Sequence, residues 1–182
     1  MITNYMGETI KQYNEVKNTC YELFTKKQRD YGLAWRILRP SSITDQILIK
    51  AKRIRSIEDK DGVQKINDDI KDDYIGIINY SIMGLIQLEF QKETMSIDDI
   101  IELYNKNFNT AKELMLDKNH DYDEVWREMR ISSYTDLILM KIYRVKQIED
   151  NKGVTLISED IGANYMDMIN YSVFALIKIL ED

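Results

Sequence analysis

The sequence predicts an all-α protein, a helical bundle built from two tandem repeats of about 91 residues related by pseudo-two-fold symmetry. Three observations predict it. One Pro and 7 Gly in 182 residues are too few for the frequent turns of a β-sandwich or barrel. Apolar residues recur at helical spacing through three long stretches of each half. A shift of 91 residues lays the second half on the first without a gap, with about 36 of roughly 84 aligned positions identical. Chance does not produce that match, so the chain reads as a tandem duplication. Two copies are too few for a solenoid, and a fused pseudo-dimer is the expectation. The repeats are 1–91 and 92–182, expected to form one compact unit.

Each repeat carries the same three helical patterns. The first covers about residues 8–28, and 97–118 in the second copy. The second is expected to start after Ser41 and Ser42, which are good N-cap types, and to stop before Gly62. Ile47, Leu48, Ala51 and Ile54 mark its buried stripe. The third is expected over about 66–90, with Ile66, Ile70, Tyr74, Ile77, Ile78, Ser81, Leu85 and Leu88 on its inner face. A compact segment, 30–40, joins the first two patterns, and 92–98 is the junction between repeats.

Composition removes several function classes. Apolar residues at 44% and charged residues at 31% fit a folded chain rather than a disordered one. Cys20 is the only cysteine and His120 the only histidine. An intrachain disulfide, a cysteine zinc cluster and Ser-His-Asp chemistry are therefore excluded or poor expectations. The net charge of −6 argues against duplex DNA bound over the whole surface, without excluding a local basic site. Lys plus Arg number 14 against 13 Asp plus Glu in 1–91, and 11 against 18 in 92–182, or +1 and −7. A nucleic-acid groove would thus favour the first repeat. The two most apolar stretches, 74–88 and 165–180, are short for a membrane span and carry polar residues. Residues 1–21 hold no apolar core of a signal peptide, so a cytoplasmic location is expected.

Three groups of residues could carry chemistry. Asp69, Asp72, Asp73, Gly76 and Tyr80 fall on one face of the third helix. The second copy has Asp160, Ala163, Asn164, Asp167 and Tyr171 there. Clustered carboxylates need Mg²⁺ or a facing cation, so Asp69, Asp72, Asp73, Asp160 and Asp167 are candidate metal ligands; a solvated face is the plain alternative. The copies differ at 72/163, 73/164 and 76/167, which suggests that they no longer make two equal sites. Lys50 and Arg53, with Lys141 and Arg144, sit one turn apart at the border of the second helix's apolar stripe. Such stems lie along a core and deliver cationic heads into a cleft, where they bind phosphate or form a structural ion pair; Lys50 and Arg53, and likewise Lys141 and Arg144, are expected to face acids of a third helix from either repeat. Tyr31 with Trp35, and Tyr122 with Trp126, recur in the compact segment. They could stack a nucleobase, or the tryptophans could plug the core.

The run Lys27-x-x-Asp30-Tyr31-Gly32-x-x-Trp35-Arg36, then Arg39-Pro40-Ser41-Ser42-x-Thr44-Asp45, Lys50-x-x-Arg53 and Asn79-Tyr80, resembles the nucleotide-modification-associated domain 1 family. The tandem form is similar to the Bacteroidetes version, and the resemblance covers nearly the whole chain. It implies an association with nucleotide or DNA modification. Acid-bearing helices also resemble the all-α nucleotide pyrophosphohydrolases of the MazG type, which hold Mg²⁺ on a Glu-Glu-x-x-Glu helix and a Glu-x-x-Asp helix. This chain lacks the first motif, and Asn164-x-x-Asp167 only approaches the second. Two functions follow as expectations: Mg²⁺-dependent hydrolysis of a nucleotide phosphoanhydride, or a module that binds a nucleotide or single-stranded nucleic acid without turning it over. A purely structural or interaction protein is the third.

Overall fold

A computed structural model describes residues 5–63 and 65–181. Among the described residues there are six α-helices: α1 (Tyr5–Tyr31), α2 (Pro40–Glu58), α3 (Ile70–Phe90), α4 (Ile97–Tyr122), α5 (Ile131–Asp150) and α6 (Ile161–Glu181). A single 3-10 turn, Ala34–Ile37 or Val125–Glu128, separates the first and second helix of each repeat. The helix order is the same in both repeats. The polar stretch at residues 1–21 has its first four residues outside the described ones.

Two helix starts differ from the sequence expectation. Helix α2 begins at Pro40 with Arg39 as N-cap, which leaves Ser41 and Ser42 inside the first turn. Proline fixes φ and has no N–H to leave unsatisfied, so it takes the first helical position ahead of the serines. Helix α3 begins at Ile70, not at 66, because Asp69 caps it by accepting a hydrogen bond from the Lys71 N–H at 3.0 Å. Ile66 lies in the preceding loop and is exposed. The stops match expectation: Gly62 and Gly153 follow α2 and α5 with φ of +83° and +80°, and their N–H groups reach back to the Ile57 and Ile148 carbonyls. Between repeats the chain is short, since Ser96 and Asp99 form a reciprocal capping box that starts α4.

The core forms around α3 and α6, the most apolar helices. They pack against each other, each also packs against its own repeat's second helix, and α2 meets α5. Burying Ile77, Ile78, Ile82, Ile86, Met168, Ile169, Val173 and Leu176 between them supplies the main driving force. Buried polar bonds across the repeats come in pairs related by the 91-residue shift. Tyr104 donates to Asn79 Oδ1 and Tyr13 to Asn170 Oδ1, both at 2.8 Å. The same asparagines donate to the Cys20 and Ala111 carbonyls. Thr44 bridges Tyr165 and Glu149, while Thr135 bridges Tyr74 and Glu58. Each bond satisfies a group that burial would otherwise penalise.

Candidate functional site

The third helices position the site through their buried polar residues. Near the end of α3, Gln87 donates to the Arg36 and Leu38 carbonyls, and Arg36 returns a bond to Gln87. Lys178, its counterpart on α6, donates to the Arg127 carbonyl. These bonds tie each 3-10 turn to the adjoining helix and set Trp35 and Trp126 against the faces of α3 and α6. From that common frame the two repeats diverge.

In the first repeat a cavity of about 600 Å³ opens between α1, the 3-10 turn, α2 and α3. Trp35, Tyr31 and Tyr80 supply aromatic wall, Lys27 and Lys50 supply positive charge, and Asn79 lies at the inner end of the retained Asn-Tyr pair. Trp35 is half-buried, and its ring N–H donates to Gln28 Oε1 at 3.0 Å, which holds the indole in place. Lys50 crosses in front of Gly76. A Cβ added there would meet the lysine Cδ at 2.6 Å and Nζ at 2.9 Å, so glycine makes the room that the lysine uses. Behind the wall, Asp73 is buried and paired with Arg53, with Lys50 Nζ 3.7 Å away. Arg53 also donates to the Asp68 carbonyl. Asp72 is exposed and lines the cavity.

In the second repeat the same place is filled. Asp167 replaces Gly76, and its two carboxylate oxygens each take one lysine: Lys118 at 2.8 Å and Lys141 at 2.6 Å. These are the counterparts of Lys27 and Lys50. Burial alone would lower the Lys118 pKa, but the hydrogen bond and charge of Asp167 raise it on balance. Burial, and then the Asp167 charge, push the Tyr171 phenol up. Phe174 replaces Met83 and stacks on Trp126, with centroids 4.3 Å apart and planes 11° from parallel. Trp126 is 4% exposed, and its ring N–H is buried without a hydrogen-bond partner among the described residues. Asn119, one methylene shorter than Gln28, instead contacts Met115 Sδ.

The sequence-predicted residues therefore separate. Lys50, Tyr31, Trp35 and Asp72 meet at the open cavity, while Arg53 supports Asp73 behind it. Lys141 and Asp167 meet in the closed copy. Tyr122 is exposed, and the Trp126 face is taken by Phe174. The expectation that Arg144 pairs with an acid of the third helix is corrected: Arg144 is exposed and has no ion pair among the described residues, because its Asp73 counterpart is Asn164. The acid stripe does not converge. Asp69 and Asp160 cap helices through the Lys71 and Ala163 N–H groups. Asp73 and Asp167 are committed to cations. Among the described residues no group of three or more His, Cys, Asp or Glu side chains is placed to hold a metal ion. Lys27, Gln28 and Met83 were missed as cavity residues. The signal for Lys27 was its identity with Lys118 one turn before the retained Tyr31 and Tyr122. His120 is exposed and Cys20 fully buried.

Fold and site together define a class: an all-α protein of two helical repeats, one of them holding an open pocket walled by aromatic rings and two lysines. Within that class the chain belongs to the nucleotide modification associated domain 1 family, whose model matches residues 27–88 and again 118–179. The first match begins at Lys27 and spans all the cavity residues except Leu23 and Phe24. No curated protein and no solved structure matches the chain. No helix among the described residues is long and apolar enough to cross a membrane.

Proposed function

We propose that the first repeat binds a nucleotide, with an anionic group at Lys27 and Lys50 and the base against Trp35 and Tyr31. The observation that carries this reading is the open cavity in which Lys27, Tyr31, Trp35, Lys50, Asn79 and Tyr80, identical in the two repeats, meet. Its volume suits a small ligand, and its lining combines apolar wall with a few convergent polar groups. Two ammonium groups near an aromatic platform match the two chemical parts of a nucleotide. Asp73 holds Arg53 and Lys50 from behind, so the Lys50 stem, and not a carboxylate, lies across Gly76 at the cavity wall. Family membership supplies the association with nucleotides. The reciprocal buried bonds support an approximate two-fold relation between the repeats, in which Asp167 and Phe174 take up the second copy's place beside its tryptophan. The carboxylates present do not fit a protein-held Mg²⁺, since four of the five candidates are caps or ion-pair partners. The reading is therefore binding, with no hydrolytic step assigned.

Calorimetric titration with nucleosides and with their mono-, di- and triphosphates, with and without Mg²⁺, tests it. Nucleotides are expected to bind and the matching nucleosides to bind about tenfold more weakly, the value of one charge-assisted contact. Lys50→Ala should weaken nucleotide binding by about as much, and Trp35→Ala should weaken nucleotide and nucleoside alike. A wild-type chain that binds none of the panel rejects the reading.

A further inference from the structure

The two repeats differ by an exchange that leaves the inventory of buried acid unchanged. The first has Asp73 with Gly76, and the second has Asn164 with Asp167. Asp73 and Asp167 are each 6% exposed. One carboxylate has moved by three residues, from beside the lysine to a place in front of it. A second change, Met83 to Phe174, lies seven residues further along the same helix face. In the first repeat Gly76 and Met83 both line the cavity. In the second, Asp167 bridges two ammonium groups and Phe174 lies flat on the indole. Two helical turns, about 10 Å, separate the anion from the ring. That is the layout of a nucleoside phosphate: one anionic group, then a planar ring at sugar-spanning distance.

We propose that Asp167 and Phe174 are a built-in occupant of the second repeat's pocket. The carboxylate stands where a single phosphoryl group sits in the first repeat, and the phenyl ring stands where the base sits. This rests on the reading above that the first repeat takes a nucleotide, and it narrows the ligand to a nucleoside monophosphate, bound once per chain. The bridging pattern sets that choice. The Asp167 oxygens take Lys118 and Lys141 one each, so a single phosphoryl group satisfies Lys27 and Lys50. The closed copy is thus a template for the bound state of the open one.

The test exchanges the residues in the full chain. Asn164→Asp, Asp167→Gly and Phe174→Met together return the second repeat to the first-repeat set and keep the acid that neutralises the cations. Two measurements are made, each on folded protein. Acrylamide quenching of Trp126, read in a Trp35→Phe background, reports closure without any ligand. Calorimetry with the four common 2′-deoxynucleoside 5′-monophosphates reports stoichiometry. Quenching is expected to rise and stoichiometry to go from one to two per chain. Unchanged quenching overturns the closure. Raised quenching with stoichiometry still at one overturns the mimicry. A wild type that binds no monophosphate overturns the mimicry, and it overturns the nucleotide reading as well only if the di- and triphosphates also fail to bind; raised quenching in that case still shows Asp167 and Phe174 to be the plug. Should the triple variant not fold, Gly76→Asp with Met83→Phe carries the test in the other direction. The far end of the flexible Lys50 side chain must move for Gly76→Asp, and Lys141 beside Asp167 shows where it goes. Monophosphate binding should then fall by about tenfold or more, and binding at wild-type strength overturns the proposal.

Discussion

The first repeat is open where the second is closed, although the two share most of the residues that frame the site. Both keep the lysine of the first helix, the Lys-x-x-Arg of the second, the Trp-Arg turn and the Asn-Tyr-Ser run of the third. The difference comes from where one carboxylate stands and how flat one apolar side chain is. Buried cations must be paired, so each repeat keeps one buried acid close to its second-helix lysine. Placed at Asp73, that acid pairs with Arg53 and leaves a cavity of about 600 Å³ that Lys50 and Gly76 line together. Placed at Asp167, it takes both lysines and occupies the space itself. A pocket survives only where the neutralising group sits beside its walls rather than between them.

The largest expected effect separates these two acids. Asp167→Ala leaves Lys141, whose residue exposure is 5%, with only the exposed Glu159 carboxylate at 3.8 Å, and should cost about 3–5 kcal/mol in chemical denaturation. Asp73→Ala leaves Arg53 and Lys50 with side chains 24% and 29% exposed, so water relieves part of the penalty. Its cost should be about 1–3 kcal/mol. Equal costs would show that the two ion pairs are equally buried and would break the contrast.

A smaller effect should be the same in both repeats. Asn79→Ala and Asn170→Ala each remove one acceptor for a buried tyrosine hydroxyl and one donor to a helix carbonyl. Each should cost about 1–3 kcal/mol, and the two values should agree within about 0.5 kcal/mol. A clear difference would mean that the repeats diverge at their mutual interface as well as at the pocket.

The smallest concerns pH. Burial raises the pKa of Glu58 and of Glu149 above the usual carboxylate range, although Thr135 and Thr44 donate to them and pull the other way. The charges of Asp136 and Asp59 around Glu58, and of Asp45 and Asp150 around Glu149, add to the rise, while Arg55 and Lys146 oppose it. The folded state then binds these protons more tightly than the unfolded state does. The resulting stabilisation is complete below the ordinary carboxyl pKa and is lost as pH rises through the raised one. Glu58→Gln with Glu149→Gln removes that titration. Its stability relative to wild type should therefore grow with pH across the window, by about 1 kcal/mol or less because both groups are partly solvated. Thermal unfolding at a series of pH values reads this, and an advantage that shrinks with pH would contradict the burial of the pair.

Much of this arrangement was legible in the amino-acid sequence. The duplication, the six helices, the glycine stops and the facing of Lys50 and Arg53 toward an acid of the third helix all follow from local periodicity and from comparing the repeats. Positions 73/164 and 76/167 already stood out as unequal. Other features were beyond local reading. Ser41 and Ser42 looked like caps, but Pro40 claimed the helix start. Asp69 looked like a member of an acid stripe, but it ended the loop and capped α3, as Asp160 does for α6 through Ala163.

Sequence alone thus determined the repeat, the helical class and the residue types that surround the site, because helical period and side-chain chemistry are local properties. Tertiary structure decided which copy keeps the place beside its tryptophan open. A lysine at 27 and a lysine at 50 are 23 residues apart in the chain, and only the packing of α1, α2 and α3 brings them to one cavity. Whether that cavity is space or side chain depends on volumes contributed from several elements at once. Asp167 between Lys118 and Lys141, and Phe174 on Trp126, close the second copy through contacts that no single helix contains.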